Sequence, residues 1–165
     1  MPPEIPVLLV DVDGVLSLFG FAAGAAPPGR LTLIDGNLHL LSDRAAAVLR
    51  RLTAHFQPVW CTGWEERAED HLPHLLGLPG GWPHVPLDTA PRVRTGTSVA
   101  GHWKLDPIDA YAGTERPLAW IDDVLDDACV AWAADRAGPT LLVHTDSAIG
   151  LTEEHEAELV AWAGM

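Results

Sequence analysis

At 165 residues, with 48% hydrophobic and 20% charged side chains, the chain has the length and apolar content of one globular domain, not of a disordered segment. Its formal net charge of −13 counts against a protein that grips nucleic acid by broad phosphate neutralisation, though not against a local site for one phosphate. No apolar run approaches a membrane span, and the Met1-Pro2-Pro3-Glu4 start lacks the basic region of a secretory signal. Cys61 and Cys129 are far apart without metal-ligand spacing, which suits core thiols, so the expected location is cytoplasmic with no membrane partner.

The first predicted element is Val7-Leu8-Leu9-Val10, an apolar run without alternation, as expected of a strand buried on both faces of a parallel sheet. Asp11-Val12-Asp13-Gly14 follows; alone it reads either as a surface turn or as the ligand-binding end of that strand. Val15 to Ala26 is Gly- and Ala-rich and closes in Pro27-Pro28-Gly29, a loop signature. Asp35-Gly36 between two short apolar runs predicts a tight hairpin over about residues 30–41, a small flap beside the strand end, with His39 facing either substrate or structure.

Ser42 caps a predicted helix over Asp43 to His55, with Ala46, Leu49, Leu52 and Phe56 inward and Arg44, Arg50 and Arg51 toward water. Pro58 to Cys61 is a second buried strand ending in Thr62-Gly63. Glu65 and Glu66 open the next helix, which Pro73 is expected to bend or shorten. His84 to Leu87 reads as a third, weak strand, and Ala90 to Gly101, with Arg92 and Arg94, as an exposed loop. Asp106 as N-cap and Pro107 as first residue begin a short helix with Lys104 just outside its amino terminus, where it can face an anion. Pro117 to Ile121 is a buried strand ending in Asp122-Asp123, followed by a helix over Val124 to Arg136. A fifth strand covers Pro139 to Thr145, and Thr152 caps a final helix.

Strands alternating with helices predict an α/β, Rossmann-like single domain over residues 1–165, with a five-stranded parallel sheet and helices on both faces. In such a sheet the ends of three strands, carrying Asp11 and Asp13, Thr62, and Asp122 and Asp123, lie on one edge. Converging carboxylates repel by roughly 4 kcal/mol per pair at 4 Å and an effective dielectric near 20. A hard divalent cation relieves this, and Mg²⁺ is the usual occupant of a carboxylate-plus-phosphate site. Lys104 is the one lysine among nine arginines; with the Thr62 hydroxyl it is suited to hold a phosphoryl group from the other side.

These residues, in this order and at these element boundaries, resemble the four motifs of the haloacid dehalogenase (HAD) superfamily of phosphohydrolases. The motifs are Asp11-Val12-Asp13-Gly14-Val15, Thr62-Gly63, Lys104 and Asp122-Asp123, and the likeness spans roughly residues 5 to 145. More narrowly, Thr62-Gly63-Trp64-Glu65, His102-Trp103-Lys104, Trp120-Ile121-Asp122-Asp123 and Gly150-Leu151-Thr152 resemble a branch related to the HAD domain of Swiss-army-knife RNA repair proteins.

The resemblance implies a Mg²⁺-dependent phosphatase in which Asp11 is the nucleophile that forms an aspartyl-phosphate and Asp13 the general acid and base. It implies Mg²⁺ on Asp11, the backbone carbonyl of Asp13 and Asp122, with Asp123 supporting the metal or orienting Lys104, and Thr62 and Lys104 on the phosphoryl oxygens. Gly63, Trp64, Trp82, His102, Trp103, Arg92 and Arg94 are the candidates for contact with the rest of the substrate. That substrate is expected to be a small phosphorylated metabolite, a nucleotide or a nucleic-acid end. The acid at Asp13 separates the chain from dehalogenase members, and its single lysine from phosphonate-cleaving ones. There is room for a flap but not a large cap. The competing readings are a non-catalytic phosphate-binding module of the same fold and a phosphotransferase.

Overall fold

Val7–Val10 (β1) has no solvent exposure at any of its four residues, which places it inside the sheet. It pairs in parallel with β5 (Gln57–Trp60) on one side and β6 (Leu118–Asp122) on the other, and β6 pairs in parallel with β7 (Thr140–His144). The order is β5-β1-β6-β7. The computed structural model describes residues 4–87 and 102–165. Arg92, Arg94 and the whole of the expected Ala90 to Gly101 loop lie outside the described residues.

The parallel sheet has four strands rather than the expected five. The stretch His84 to Leu87 makes a single parallel bridge, His84 to Trp60, in which the Trp60 N–H donates to the Pro83 carbonyl and the Val85 N–H to the Trp60 carbonyl. Pro83 and Pro86 supply no N–H, so the ladder stops after one residue.

Alternate residues of the central strands feed two separate cores. Leu8, Val10, Trp60, Ala119 and Ile121 pack with residues of α1 (Asp43–Leu52), α2 (Glu66–Leu76) and α5 (Glu153–Ala163). Val7, Leu9, Val59, Leu118 and Trp120 pack with Leu105 and Ile108 of α3 (Leu105–Ala112) and Cys129 of α4 (Asp127–Asp135). The sheet is therefore covered on both faces, as continuous apolar strands require.

Helix α1 begins where its sequence predicts: the Ser42 hydroxyl accepts from the Ala45 N–H, and Ala46, Leu49 and Leu52 are buried while Arg44, Arg50 and Arg51 are exposed. It ends at Leu52, earlier than expected. Helix α3 starts at Leu105 with Lys104 as its N-cap residue, not at Asp106 and Pro107. Proline at the third position is tolerated because the first-turn N–H groups have no partners within the helix anyway. Helix α4 is likewise shorter than predicted, with the Asp126 carboxylate capping it through the Cys129 N–H. Pro73 stays inside α2, which runs on to Leu76.

The hairpin is present as β3 (Arg30–Ile34) and β4 (Asn37–Leu41), turning through Asp35 and Gly36 at φ of 49° and 82°. It belongs to a three-stranded antiparallel sheet, because Ser17–Leu18 (β2), inside the expected loop, pairs with β4. No helix among the described residues is long and apolar enough to cross a membrane.

Candidate active site

The strand register brings the predicted residues together. Val10 lies beside Trp60 in β5 and Ile121 in β6, so the next residue of each strand segment, Asp11, Cys61 and Asp122, leaves the sheet edge side by side. Lys104 reaches them from the head of α3. Its ammonium donates to Asp122 Oδ2 at 2.7 Å and to the Cys61 carbonyl at 2.9 Å, and sits 3.3 Å from Asp11 Oδ1. With 4% exposure for Lys104, 7% for Asp11 and 1% for Asp122, this is a buried charge cluster.

Burial costs such charges dearly unless they are paired. For Lys104 burial opposes the ammonium, but Asp11, Asp122 and the hydrogen bond to Asp122 outweigh it, and its pKa lies above the ordinary lysine range. For Asp11 burial raises the carboxyl pKa well above its usual value; Lys104 pulls against this and the Asp122 charge adds to it. Asp123 is raised too, first by burial and then by Asp122. The Cys61 thiol is pushed up to about 12, chiefly by burial, and is inert near neutrality.

Oxygens of Asp11, Asp122 and Asp123 lie within 4.8 Å of one another. One lysine cannot neutralise three carboxylates, and the excess is the charge of a divalent cation. The all-oxygen donor set fits a hard ion such as Mg²⁺. A second group, Glu65, Glu66 and His84, is also close enough to share an ion but does not line the cleft described below.

Gly14 makes the cluster possible. Its φ is 80°, and a Cβ there would fall 2.4 Å from Asp123 Cγ, so only glycine lets the Asp123 side chain rest against this turn. Thr145 fastens the same turn by donating its hydroxyl to the Gly14 carbonyl at 2.8 Å. Asp13 takes no part in the carboxylate group. Its side chain is exposed, and Asp13 Oδ2 accepts a 3.0 Å hydrogen bond from the Trp64 indole N–H. Thr62 is buried, and its hydroxyl oxygen accepts from the Trp64 backbone N–H at 3.2 Å. The hydroxyl proton remains available for a ligand.

These groups open into a cleft of about 400 Å³ lined by Asp11, Asp13, Thr62, Lys104, Asp122 and Asp123, with Gly63, His102, Trp103, Phe19 and Val124 at its walls. Phe19 and Val124 are about half exposed, giving the acidic floor an apolar rim.

A family model for the HAD domain in Swiss Army Knife RNA repair proteins matches residues 7–156. The chain belongs to this HAD family. No curated protein matches it. Among solved structures, the HAD domain is similar to a HAD superfamily (subfamily III A) hydrolase from Legionella pneumophila, at 17% identity and TM-score 0.50 over 97% of this chain and 84% of that one. A hypothetical protein from Xanthomonas campestris is similar at 15% identity, with the same TM-score and coverage.

Within this HAD domain, the structure gathers Asp11, Thr62, Gly63, His102, Trp103, Lys104, Asp122 and Asp123 at one cleft with Asp13 at its mouth. Asp123, expected behind the metal ligands, offers its carboxylate alongside those of Asp11 and Asp122, whereas the Asp13 side chain turns away to Trp64. His102 is buried, which lowers its pKa, and its unprotonated Nδ1 accepts from the Lys104 backbone N–H at 3.2 Å. Trp82 packs on Trp60 in the core, and His39 binds Ser17 Oγ rather than facing the cleft. Three contributors escaped the sequence: Phe19, lost in an aperiodic loop, Val124, which reads only as the start of a helix, and the Cys61 carbonyl, a backbone group without a residue-type signal.

Proposed function

We propose that this HAD domain is a Mg²⁺-dependent phosphomonoester hydrolase with Asp11 as nucleophile and Asp13 as general acid and base. The observation that carries the reading is the position of Asp11. Its carboxylate meets the Lys104 ammonium at 3.3 Å and lies within 4.8 Å of the Asp122 and Asp123 oxygens, on the floor of a cleft whose mouth holds Asp13. Mg²⁺ would be held by Asp11, Asp122 and Asp123, with the Asp13 backbone carbonyl in reserve, and would supply positive charge against the phosphoryl oxygens.

The chain's own residues do the rest. An Asp11 carboxylate oxygen attacks phosphorus in line, and the bond to the leaving oxygen breaks as Asp13 gives that oxygen its proton. The Thr62 hydroxyl and Lys104 ammonium hold the non-bridging oxygens. Water then loses a proton to Asp13 and attacks phosphorus, the bond to Asp11 breaks, and inorganic phosphate leaves with both aspartates restored.

The substrate is a small phosphorylated metabolite, a nucleotide or a nucleic-acid end. The family's occurrence in RNA repair proteins favours the last, and the charge of −13 favours a short end over a long polyanion.

Hydrolysis of p-nitrophenyl phosphate in Mg²⁺ and in EDTA, for the native chain and for Asp11→Asn, tests the reading. Turnover that needs Mg²⁺ and falls at least about 10³-fold in the variant is the expected result. Failure to cleave this ester and a panel of nucleotides, sugar phosphates and 2′- or 3′-phosphorylated oligonucleotides would refute it.

A further inference from the structure

We infer that Trp64 is the positioning residue for Asp13, and that the β3–β4 hairpin braces Trp64. The inference deepens the phosphatase reading and rests on it.

Asp13 is the one exposed residue in an otherwise buried turn, and its carboxylate would otherwise sample several rotamers in water. Trp64 is 7% exposed, and its one side-chain donor, the indole Nε1–H, is directed at Asp13 Oδ2 at 3.0 Å. A buried indole N–H without a partner is costly, so the bond constrains both groups. With Oδ2 engaged, Oδ1 is the oxygen left to face the cleft, and it is the atom that passes the proton to the leaving oxygen and recovers one from water.

The indole is itself held from three directions. Its own backbone N–H donates to Thr62 Oγ1, tying its position to the phosphoryl-binding hydroxyl. The His39 ring of β4 packs against it at 4.8 Å between centroids, and His39 Nδ1 is fixed by Ser17 Oγ at 2.9 Å. The Arg67 guanidinium lies 5.5 Å over the indole and is anchored by Asp35 at the hairpin turn. Ser17, in turn, bridges to Asp13 across the tight loop after β1. Hairpin, Trp64 and Asp13 thus form one packed series, and of the hairpin's residues none lines the cleft.

A residue that places an acid and base differs from one that merely fills space in its dependence on the leaving group. p-Nitrophenolate leaves without a proton, whereas an alkoxide needs one. Trp64→Phe keeps the ring for His39 and Arg67 but removes the N–H. It is expected to slow hydrolysis of an alkyl phosphate by roughly tenfold more than that of p-nitrophenyl phosphate. Equal losses on the two esters, or none, would overturn the inference while leaving the phosphatase reading intact. A native chain that cleaves neither ester takes down both.

The second measurement needs no turnover and no variant of Trp64 beyond assignment. In ¹⁵N-labelled protein the Trp64 indole N–H resonance should shift and exchange faster with solvent in Asp13→Ala, and stay in place in Asp135→Ala at the last residue of α4. An indole resonance indifferent to Asp13→Ala would overturn the inference whatever the kinetics.

Discussion

At the carboxyl edge of the parallel sheet Lys104 and Asp122 meet at 2.7 Å with side chains 4% and 2% exposed; at the hairpin turn Asp35 and Arg67 meet at 2.8 Å with both 46% exposed. The distances are nearly equal and the physics is not. The inner pair has left water, so its charges must be balanced by one another or by an ion, and removing one strands the other. The outer pair keeps most of its hydration and is screened by salt within a Debye length of about 8 Å. The inner cluster is also unbalanced, with more carboxylates than ammonium, while the outer one is joined by His71 as well as Arg67 around a single aspartate. Imbalance in a buried place is what makes the first cluster a site; near-balance in an exposed place is what makes the second a fastening.

The largest expected effect follows from stranding the inner carboxylates. Lys104→Met should destabilise the metal-free protein by about 3–5 kcal/mol, read by urea unfolding, with Asp122→Asn in the same chain recovering part of the loss. A change below about 1 kcal/mol would mean that the cluster is far wetter than its exposure indicates. Next comes the turn on which the cluster leans. Gly14→Ala combines an unfavourable φ of 80° with a Cβ inside the Asp123 side chain, and should cost about 1–3 kcal/mol together with weaker Mg²⁺ binding by calorimetry. Unchanged metal binding would show that Asp123 does not need that contact.

The smallest effect belongs to the hairpin. The hydrogen bond from Arg67, followed by the His71 charge, holds the Asp35 carboxyl below its usual range. Any stability it contributes is therefore present above the ordinary carboxylate pKa and fades as pH falls through the lower, folded value. Because the pair is nearly half exposed, Asp35→Asn, which keeps a residue suited to the φ of 49° at this turn, should unfold at the same urea concentration as the native chain at pH 7 in 0.15 M salt. A clear separation of the two curves would erase the contrast drawn between the clusters.

Much of this was legible in the sequence. Val7 to Val10 announces a buried strand because no position is polar, and Ser42 announces a helix because its hydroxyl satisfies a first-turn N–H. Asp11, Thr62 and Asp122 are legible as a set because parallel strands put their ends on one edge, and Lys104 joins them as the residue at the head of a helix between the last two. The reading faltered where local pattern and ladder chemistry part company. His84 to Leu87 has the apolar content of a strand, but Pro83 and Pro86 leave it one bridge. Ser17–Leu18 has no strand signature and pairs only because β4 returns beside it.

By itself, then, the order of residues determined which groups stand at the sheet edge and that they carry too much negative charge for one lysine. Only the tertiary structure decided how the carboxylates divide. Asp123 joins Asp11 and Asp122 because Gly14 lets it approach, and Asp13 turns outward because the Trp64 indole, packed beneath the hairpin, holds one of its oxygens. Spacing along a strand sets where a side chain begins; what it touches depends on neighbours brought from fifty or a hundred residues away, and no local pattern encodes them.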